Sequence, residues 1–509
     1  MSRCSDVLLS TGDIPHCISV RTTLTVKFIA RSEPYDISLP LQNDYHDLHT
    51  YSVNEYEFWN DLWQDMGIIY SSSPSQVCHG FMSVNLFFFL CTKKVVCHGR
   101  LGEVPQWFPG SRLSYAQNIL RRIDDAIACT ITGERGVISH ITFRGLRKRV
   151  PIVLLLATAS IGGIYSSTDT DMVPKGILDR YRQIKPKLLF VETEIYHAGR
   201  TIDLISNVSE VISSLIDCGL QLADLLPSTI TGNNVSELTF EQLPLDHGLL
   251  ILYSSGPTAG APKCIVNSAG RVLVQTMRDV AFGYGVSADD ALLQYTTVGW
   301  MMWNLMIAGL AWRPRLILYD RSPLHPSLPA FLRLVHDQGV SVLGVSPRFL
   351  GEMHWMDIKP LALGLFNALK TIASEGAVLT PALHTWAHNA FVGRVRVFTP
   401  CGGTDIFSAF ATSALSELVY AGAMPCKALG TMTHILGVWR QGDFMAMNPS
   451  TKEMTILCPS DGVLNRSGVR FGSSEVLYQG GKTVSSETVA NPEALSLYYR
   501  YVWMVPTKL

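Results

Sequence analysis

Apolar positions recur at intervals of three and four after Tyr56: Phe58, Trp59, Leu62, Trp63 and Met66 share one stripe, and Gly67 follows. Ser52 and Glu55 stand at capping-box spacing ahead of them. The pattern predicts a helix that starts near Ser52 and stops at Gly67, with its aromatic stripe in the core. Ser114 and Gln117 have the same spacing before Ile119, Leu120 and Ile123, which predicts another helix. Beyond residue 180 the pattern changes. Short apolar runs at Leu188–Val191, Leu249–Tyr253, Leu316–Tyr319, Val340–Val345 and Val395–Phe398 read as buried strands. Helical periods lie between them, such as Leu328–Val335, stopped by Gly339. Strands alternating with helices predict an α/β fold whose parallel or mixed sheet is covered on both faces. Ligands of such sheets sit in the loops after the carboxyl ends of strands. Residues 1–46 show no period and no motif, and the chain has no internal repeat.

At 509 residues the chain is long enough for about three domains or subdomains of ~150 residues each. Apolar residues make up 47%, which excludes wholesale disorder. A net charge of −1 argues against a nucleic-acid surface, which needs excess Lys and Arg. The 11 cysteines are odd in number, scattered and free of C-x-x-C, so they suit a reducing compartment and offer no zinc framework. No signal peptide is visible in residues 1–30, and the expected location is cytoplasmic. The oily runs Phe81–Cys91 and Pro151–Tyr165 are both shorter than the ~20 residues of a membrane span.

Four loops could carry chemistry. Leu252-Tyr253 runs straight into Ser254-Ser255-Gly256-Pro257-Thr258-Ala259-Gly260-Ala261-Pro262-Lys263. Glycines let backbone N–H groups turn toward an anion, hydroxyls add donors and lysine adds charge, so this stretch reads as a phosphate loop. It is not a Walker loop, because Gly, Lys and a hydroxyl residue are not adjacent. Thr399-Pro400-Cys401-Gly402-Gly403-Thr404-Asp405-Ile406 also follows a strand. Its glycines allow close approach, its threonine can donate to an anion, and its aspartate can hold Mg²⁺ or a hydroxyl pair. Read alone, it is equally a turn with a helix cap. Trp439-Arg440-Gln441-Gly442-Asp443 offers one carboxylate to ribose hydroxyls, and by itself is a turn. The fourth, Ser460 to Gly472, is polar and Gly-rich and carries Arg466 and Arg470.

Together these segments, with Tyr45-His46-Asp47-Leu48-His49, Trp107-Phe108-Pro109-Gly110, Ala157 to Ile164 and Gly299-Trp300-Met301-Met302-Trp303-Asn304, resemble the acetoacetyl-CoA synthetase family. That family lies within the adenylate-forming superfamily, and the resemblance covers about residues 45–478, with gaps. It implies a large AMP-binding domain over 47–458, built of αβαβα-type subdomains with mixed sheets. A hinge and the remnant of a small C-terminal domain would occupy 459–509, after the poorly matched segment 1–46. The implied activity is ATP-dependent ligation of a small carboxylic acid, acetoacetate or a similar short oxo acid, to CoA. The acid first attacks the α-phosphate of Mg²⁺-bound ATP, and the CoA thiol then displaces AMP. Carried over by residue, Ser254, Ser255, Gly256, Thr258, Gly260 and Lys263 would form the loop over the β- and γ-phosphates. Thr404, with Gly402 and Gly403 before it, would contact the α-phosphate, and Asp405 would bind Mg²⁺. Asp443 would hold the ribose, Gly376 and Ala377 would lie against adenine, and Arg470 would approach a phosphate. Trp300 and Met301 would border the acyl pocket, and Asp461 would be the hinge.

Several departures from the family bear on activity. Pro257 stands where the phosphate loop expects threonine, which removes a backbone donor. Pro459 replaces the arginine before the hinge Ser-Asp. Family text is skipped near 150/151 and 430/434, and Phe81–Arg100 looks inserted. No residue matches the C-terminal lysine that bridges acyl carboxylate and α-phosphate, so that domain is expected to be largely missing. A second reading therefore stands beside the ligase: a degenerate nucleotide-binding pseudoenzyme.

Overall fold

The computed structural model describes residues 45–74, 76–83, 86–93, 96–97, 106–148, 154–170, 172–218, 239–254, 262–391, 393, 395–431, 443–448, 452–459, 464–466 and 469–471. The helix expected from Ser52 to Gly67 is two helices, α1 (Tyr45–Asn54) and α2 (Tyr56–Asp65). Glu55 between them is extended, with φ −114° and ψ 128°, and breaks the run. Ser52 caps nothing. Its hydroxyl lies inside α1, donating to the His49 carbonyl at 2.6 Å and accepting from the Gly430 amide at 2.7 Å. The aromatic stripe is core, as expected: Phe58, Trp59, Leu62, Trp63 and Met66 are all buried. The second expected helix is short, Tyr115–Ile119, and Ile123 lies beyond it, exposed. Ser114 occupies its N-cap position without a side-chain cap bond.

The strands that position the site are β1 (Ile127–Gly133), β2 (Ser139–Thr142), β3 (Tyr165–Ser166), β4 (Gly248–Ser254), β5 (Lys263–Ser268), β6 (Ala291–Gln294), β7 (Arg315–Asp320), β8 (Val342–Val345), β9 (Thr371–Ser374), β10 (Arg396–Phe398), β11 (Cys401–Gly403) and β12 (Ser408–Thr412). Seven of them form one sheet in the order β10-β9-β8-β6-β7-β1-β2. All its pairs are parallel except β1 with β2. The α/β mixed sheet expected from the alternation is therefore present. A smaller sheet, β5-β4-β3, pairs β4 antiparallel to β5 and parallel to β3.

The large sheet is doubly wound. The chain goes from β6 to β7 on one side, then crosses to β8 on the other. Strand order reverses at β6, and the carboxyl end of such a reversal is where a crevice opens. Three crossover helices have the same start signal: a hydroxyl cap with proline at one of the first two helical positions. In α7 (Leu328–Asp337), Ser327 accepts from the Ala330 amide; in α8 (Pro347–Trp355), Ser346 accepts from Phe349; in α9 (Pro381–Ala390), Thr380 accepts from Leu383. Each hydroxyl satisfies one of the orphan N–H groups, and the proline occupies a position that needs no donor. Their apolar faces close one side of the sheet, with Phe331, Phe349, Leu343, Ile372 and Val397 in one buried cluster. The other side belongs to a larger cluster that reaches from α1 and α2 through Leu250 of β4 to Leu292 of β6.

Helices α3 (Pro174–Ile184) and α4 (Ile205–Asp217) pack on each other through Leu178, Tyr181, Val211 and Leu215. The expected strand Leu188–Val191 lies beside them and is not a strand. Only Leu189 reaches their cluster, while Leu188, Phe190 and Val191 are exposed. A short apolar run becomes a strand only where a neighbour offers a ladder, and β3 offers an edge of two residues. Phe81–Cys91 falls across an antiparallel pair, Gln76–Ser83 with Leu86–Lys93. The skipped text near 150/151 and 430/434 falls where residues 149–153 and 432–442 lie outside the described residues, as do 1–44 and 472–509. Among the described residues, no helix is long and apolar enough to cross a membrane.

Candidate active site

The loops expected to carry chemistry leave the carboxyl ends of the strands. Ser254 ends β4 and faces Lys263 of β5 across an antiparallel pair, so this pairing closes both ends of the segment expected to be a phosphate loop. Ser254 is half-buried and Lys263 exposed. Ser255, Gly256, Thr258 and Gly260 lie outside the described residues. Gly376 and Ala377 follow β9, and Gly402, Gly403, Thr404 and Asp405 follow β10, its parallel neighbour. Trp300 follows β6 and forms the N-cap of α6 (Met301–Ala308); its side chain is exposed and Met301 is half-buried.

Contacts between loops link the two sheets. Ser166 at the end of β3 and Tyr253 of β4 share a hydroxyl–hydroxyl bond of 2.9 Å. One residue on, the Ser167 hydroxyl donates to the Val298 carbonyl at 2.7 Å, beside Trp300. The end of β4, where the expected phosphate loop begins, is thus tied to the loop after β6, at the strand reversal. Asp443 opens the strand Asp443–Met447, paired with Met454–Pro459, and Arg470 lies in the strand Val469–Phe471, paired with Leu464–Arg466. Asp461 lies outside the described residues.

The turn bearing Thr404 and Asp405 joins β11 to β12. Thr404 is half-buried and Asp405 exposed. Its far side is anchored by Ser408, whose hydroxyl donates to Asp279 Oδ2 at 2.7 Å. Arg278, ending helix α5 (Ala269–Arg278), donates to Asp279 Oδ1 at 2.6 Å and also to Ser408 Oγ and the Leu429 carbonyl. Helix α5 continues into a π-helical turn, Asp279–Tyr284. Such turns are rare and often mark functional sites, because the extra residue re-aims the side chains that follow.

Here the re-aimed residue is Tyr284. Its hydroxyl donates to Glu375 Oε1, directly before Gly376, and its ring meets Phe398 of β10 edge-on at 5.5 Å. Glu375 Oε2 is buried and has no hydrogen-bond partner among the described residues. Burial pushes the Glu375 carboxyl up to about 7, the Tyr284 bond opposes this, and the Asp279 charge adds to it. An acid raised above its unfolded value of 4.5 is protonated in the fold and ionised in the unfolded chain between those values. Stability from this group is therefore present at low pH and falls as pH rises from about 4.5 to about 7. Glu375→Gln keeps an acceptor for Tyr284 and cannot ionise. The variant is expected to melt above the parent at pH 8 and level with it at pH 5. Equal melting curves at both values would contradict the assignment.

Sequence reasoning passed over Arg278, Asp279, Tyr284, Glu375 and Ser408. Glu375 had a signal, a carboxylate immediately after a buried strand; the others lie on helical or strand positions with none.

A family model described as AMP-binding enzyme matches residues 139–426. Acetoacetyl-CoA synthetase of Mus musculus is 32% identical over 85% of this chain and 76% of its own length. The chain belongs to the acetoacetyl-CoA synthetase family. Another relative, malonamoyl-CoA synthetase vrtB of Penicillium aethiopicum, is 28% identical over 85% of this chain and 72% of its own. Among solved structures, acetoacetyl-CoA synthetase from Streptomyces lividans superposes with a TM-score of 0.76 at 25% identity, covering 92% of this chain and 82% of that one. The expected adenylate-forming fold is therefore the observed one. As an acetoacetyl-CoA synthetase family member, the chain carries its AMP-binding match across β2 to β12, the strands whose ends carry the first two candidate loops and Trp300.

Proposed function

We propose that the protein is an ATP-dependent acid–CoA ligase that activates acetoacetate or a similarly short oxo acid. The observation that carries this reading is convergence. Loops after β6, β9 and β10 leave the same carboxyl edge of one parallel run of strands, and the end of β4 is tied to the first of them, in a chain of this family.

The acid carboxylate attacks the α-phosphate of ATP, releasing pyrophosphate, and the thiol of CoA then displaces AMP. Little covalent work falls to the protein, whose part is positioning and charge neutralisation. Ser254 and Lys263, with Ser255, Gly256, Thr258 and Gly260 between them, cradle the terminal phosphates. Gly376 and Ala377 form the wall against adenine, and Asp443 takes the ribose hydroxyls. Thr404 donates to the α-phosphate, and Arg470 approaches the phosphates. Asp461 is the hinge between a domain over 47–458 and the segment that follows. Asp405 is exposed and directly follows Thr404 in the turn, and one carboxylate with a hydroxyl and phosphate oxygens is a donor set that would suit Mg²⁺. Bound there, the ion neutralises phosphate charge. Trp300 and Met301 border the acyl group.

Acetoacetate-dependent exchange of labelled pyrophosphate into ATP tests the proposal, with acetate and octanoate as comparison acids. Exchange that is fastest with the short oxo acid supports it. ATP binding, seen as a raised melting temperature, without exchange for any acid would overturn it.

A further inference from the structure

Residues 166–170 leave β3 and cross from the small sheet to the large one as a strap. Three anchors hold it. Ser166 bonds Tyr253 at 2.9 Å, Thr168 bonds the Tyr181 hydroxyl at 3.2 Å, and Thr170 accepts from Arg321 Nη1 at 2.9 Å. Arg321 is itself fixed by Glu192 at 3.1 Å. Its φ of +78° is unusual for a residue with a side chain, and such backbones persist only where surroundings over-determine them.

Between these anchors the strap grips two consecutive residues of the loop after β6. Ser167 donates to the Val298 carbonyl at 2.7 Å, and Asp169 Oδ1 accepts from the Gly299 amide at 2.9 Å. The next residue is Trp300, the N-cap of α6, whose amide donates to the Thr297 carbonyl at 3.2 Å within the same loop. Close approach here needs glycine: a Cβ on Gly299 would lie 2.8 Å from Asp169 Oδ1. A carboxylate on an amide is a charge-assisted bond, stronger than a neutral one.

We propose that Asp169 is a positioning residue that fixes Trp300 through the Gly299 amide and so sets which acyl groups the site accepts. The inference rests on the reading of Trp300 as a wall of the acyl pocket. Asp169 acts on the loop and not on reacting atoms. The sheets stay joined without it, because Ser167–Val298 and Thr170–Arg321 remain, so its loss frees one peptide and leaves the nucleotide loops in place.

The test is calorimetric binding of AMP and of two non-reactive acyl-adenylate mimics, acetoacetyl- and octanoyl-sulfamoyladenosine. In Asp169→Ala the acetoacetyl mimic is expected to weaken about tenfold or more, as for loss of a hydrogen bond to a charged group, with AMP affinity unchanged. Preference for the short mimic over the long one should shrink by a similar factor. Asp169→Asn keeps an acceptor oxygen and should restore both. Ser167→Ala, which loosens the neighbouring peptide, should shift the preference the same way by a smaller factor and serves if the first variant does not fold. An unchanged ratio of the two mimics in Asp169→Ala or Ser167→Ala would overturn the inference alone, as would an Asn variant no better than Ala. A parent protein that binds AMP but gains nothing from either acyl group would overturn the acyl-pocket reading itself.

Discussion

Gly402→Ala is expected to lower acid-dependent pyrophosphate exchange by ~10²-fold or more, the scale of effect that a displacement of about 1 Å in a positioning element produces. A Cβ on Gly402 would stand 1.9 Å from the Ser408 carbonyl oxygen and 2.7 Å from Ala409 Cα. Both are backbone atoms of the paired strand, so no side chain can swing aside. The pair Gly402↔Ala409 must open, and the ladder is already irregular between Cys401 and Gly402. Opening it moves the Thr404–Asp405 turn that the two strands carry. Gly351→Ala in α8, where a Cβ would meet nothing within 4 Å, is the control and should leave exchange intact. Normal exchange in Gly402→Ala would show that this turn does not position the α-phosphate.

Arg278→Met should cost about 3–5 kcal/mol of stability, the range for removing one partner of a buried ion pair. Arg278 is 2% exposed and Asp279 8%. Without the guanidinium, Asp279 keeps only the Ser408 hydroxyl among the described bonds, and the Leu429 carbonyl loses a donor. An uncompensated carboxylate in low dielectric then dominates the balance. Replacing both residues, Arg278→Met with Asp279→Leu, should recover most of the loss, because the desolvation cost of both charges disappears together. Midpoints of urea unfolding for the single and double variants check this. A double variant as unstable as the single one would locate the effect in packing.

Much of the fold was legible locally. The apolar runs at Leu249–Tyr253, Leu316–Tyr319, Val340–Val345 and Val395–Phe398 are strands to within about two residues, the usual uncertainty of such boundaries. Leu328–Val335 is a helix that continues to Asp337. Leu188–Val191 failed because its apolarity met no partner edge, and Ser52 failed as a cap because the helix begins earlier, at Tyr45, and leaves it mid-helix with its hydroxyl between His49 and Gly430. Candidate loops were legible because glycines, hydroxyls and charges cluster directly after buried strands. The residues that brace them were not, because Arg278 and Ser408 lie 130 positions apart and nothing near either announces the other.

Most strands and helices, the α/β class, family membership and the placing of candidate loops directly after strands were therefore readable from residue order. Caps, prolines and apolar periods act over a few neighbouring residues. Burial between distant segments decided the rest: the reversal at β6, the Tyr284–Glu375 contact beside Gly376, and the strap that holds Gly299. Ser167 meets Val298 across a separation of 131 residues, and only a packed interior selects one such partner among many of like chemistry.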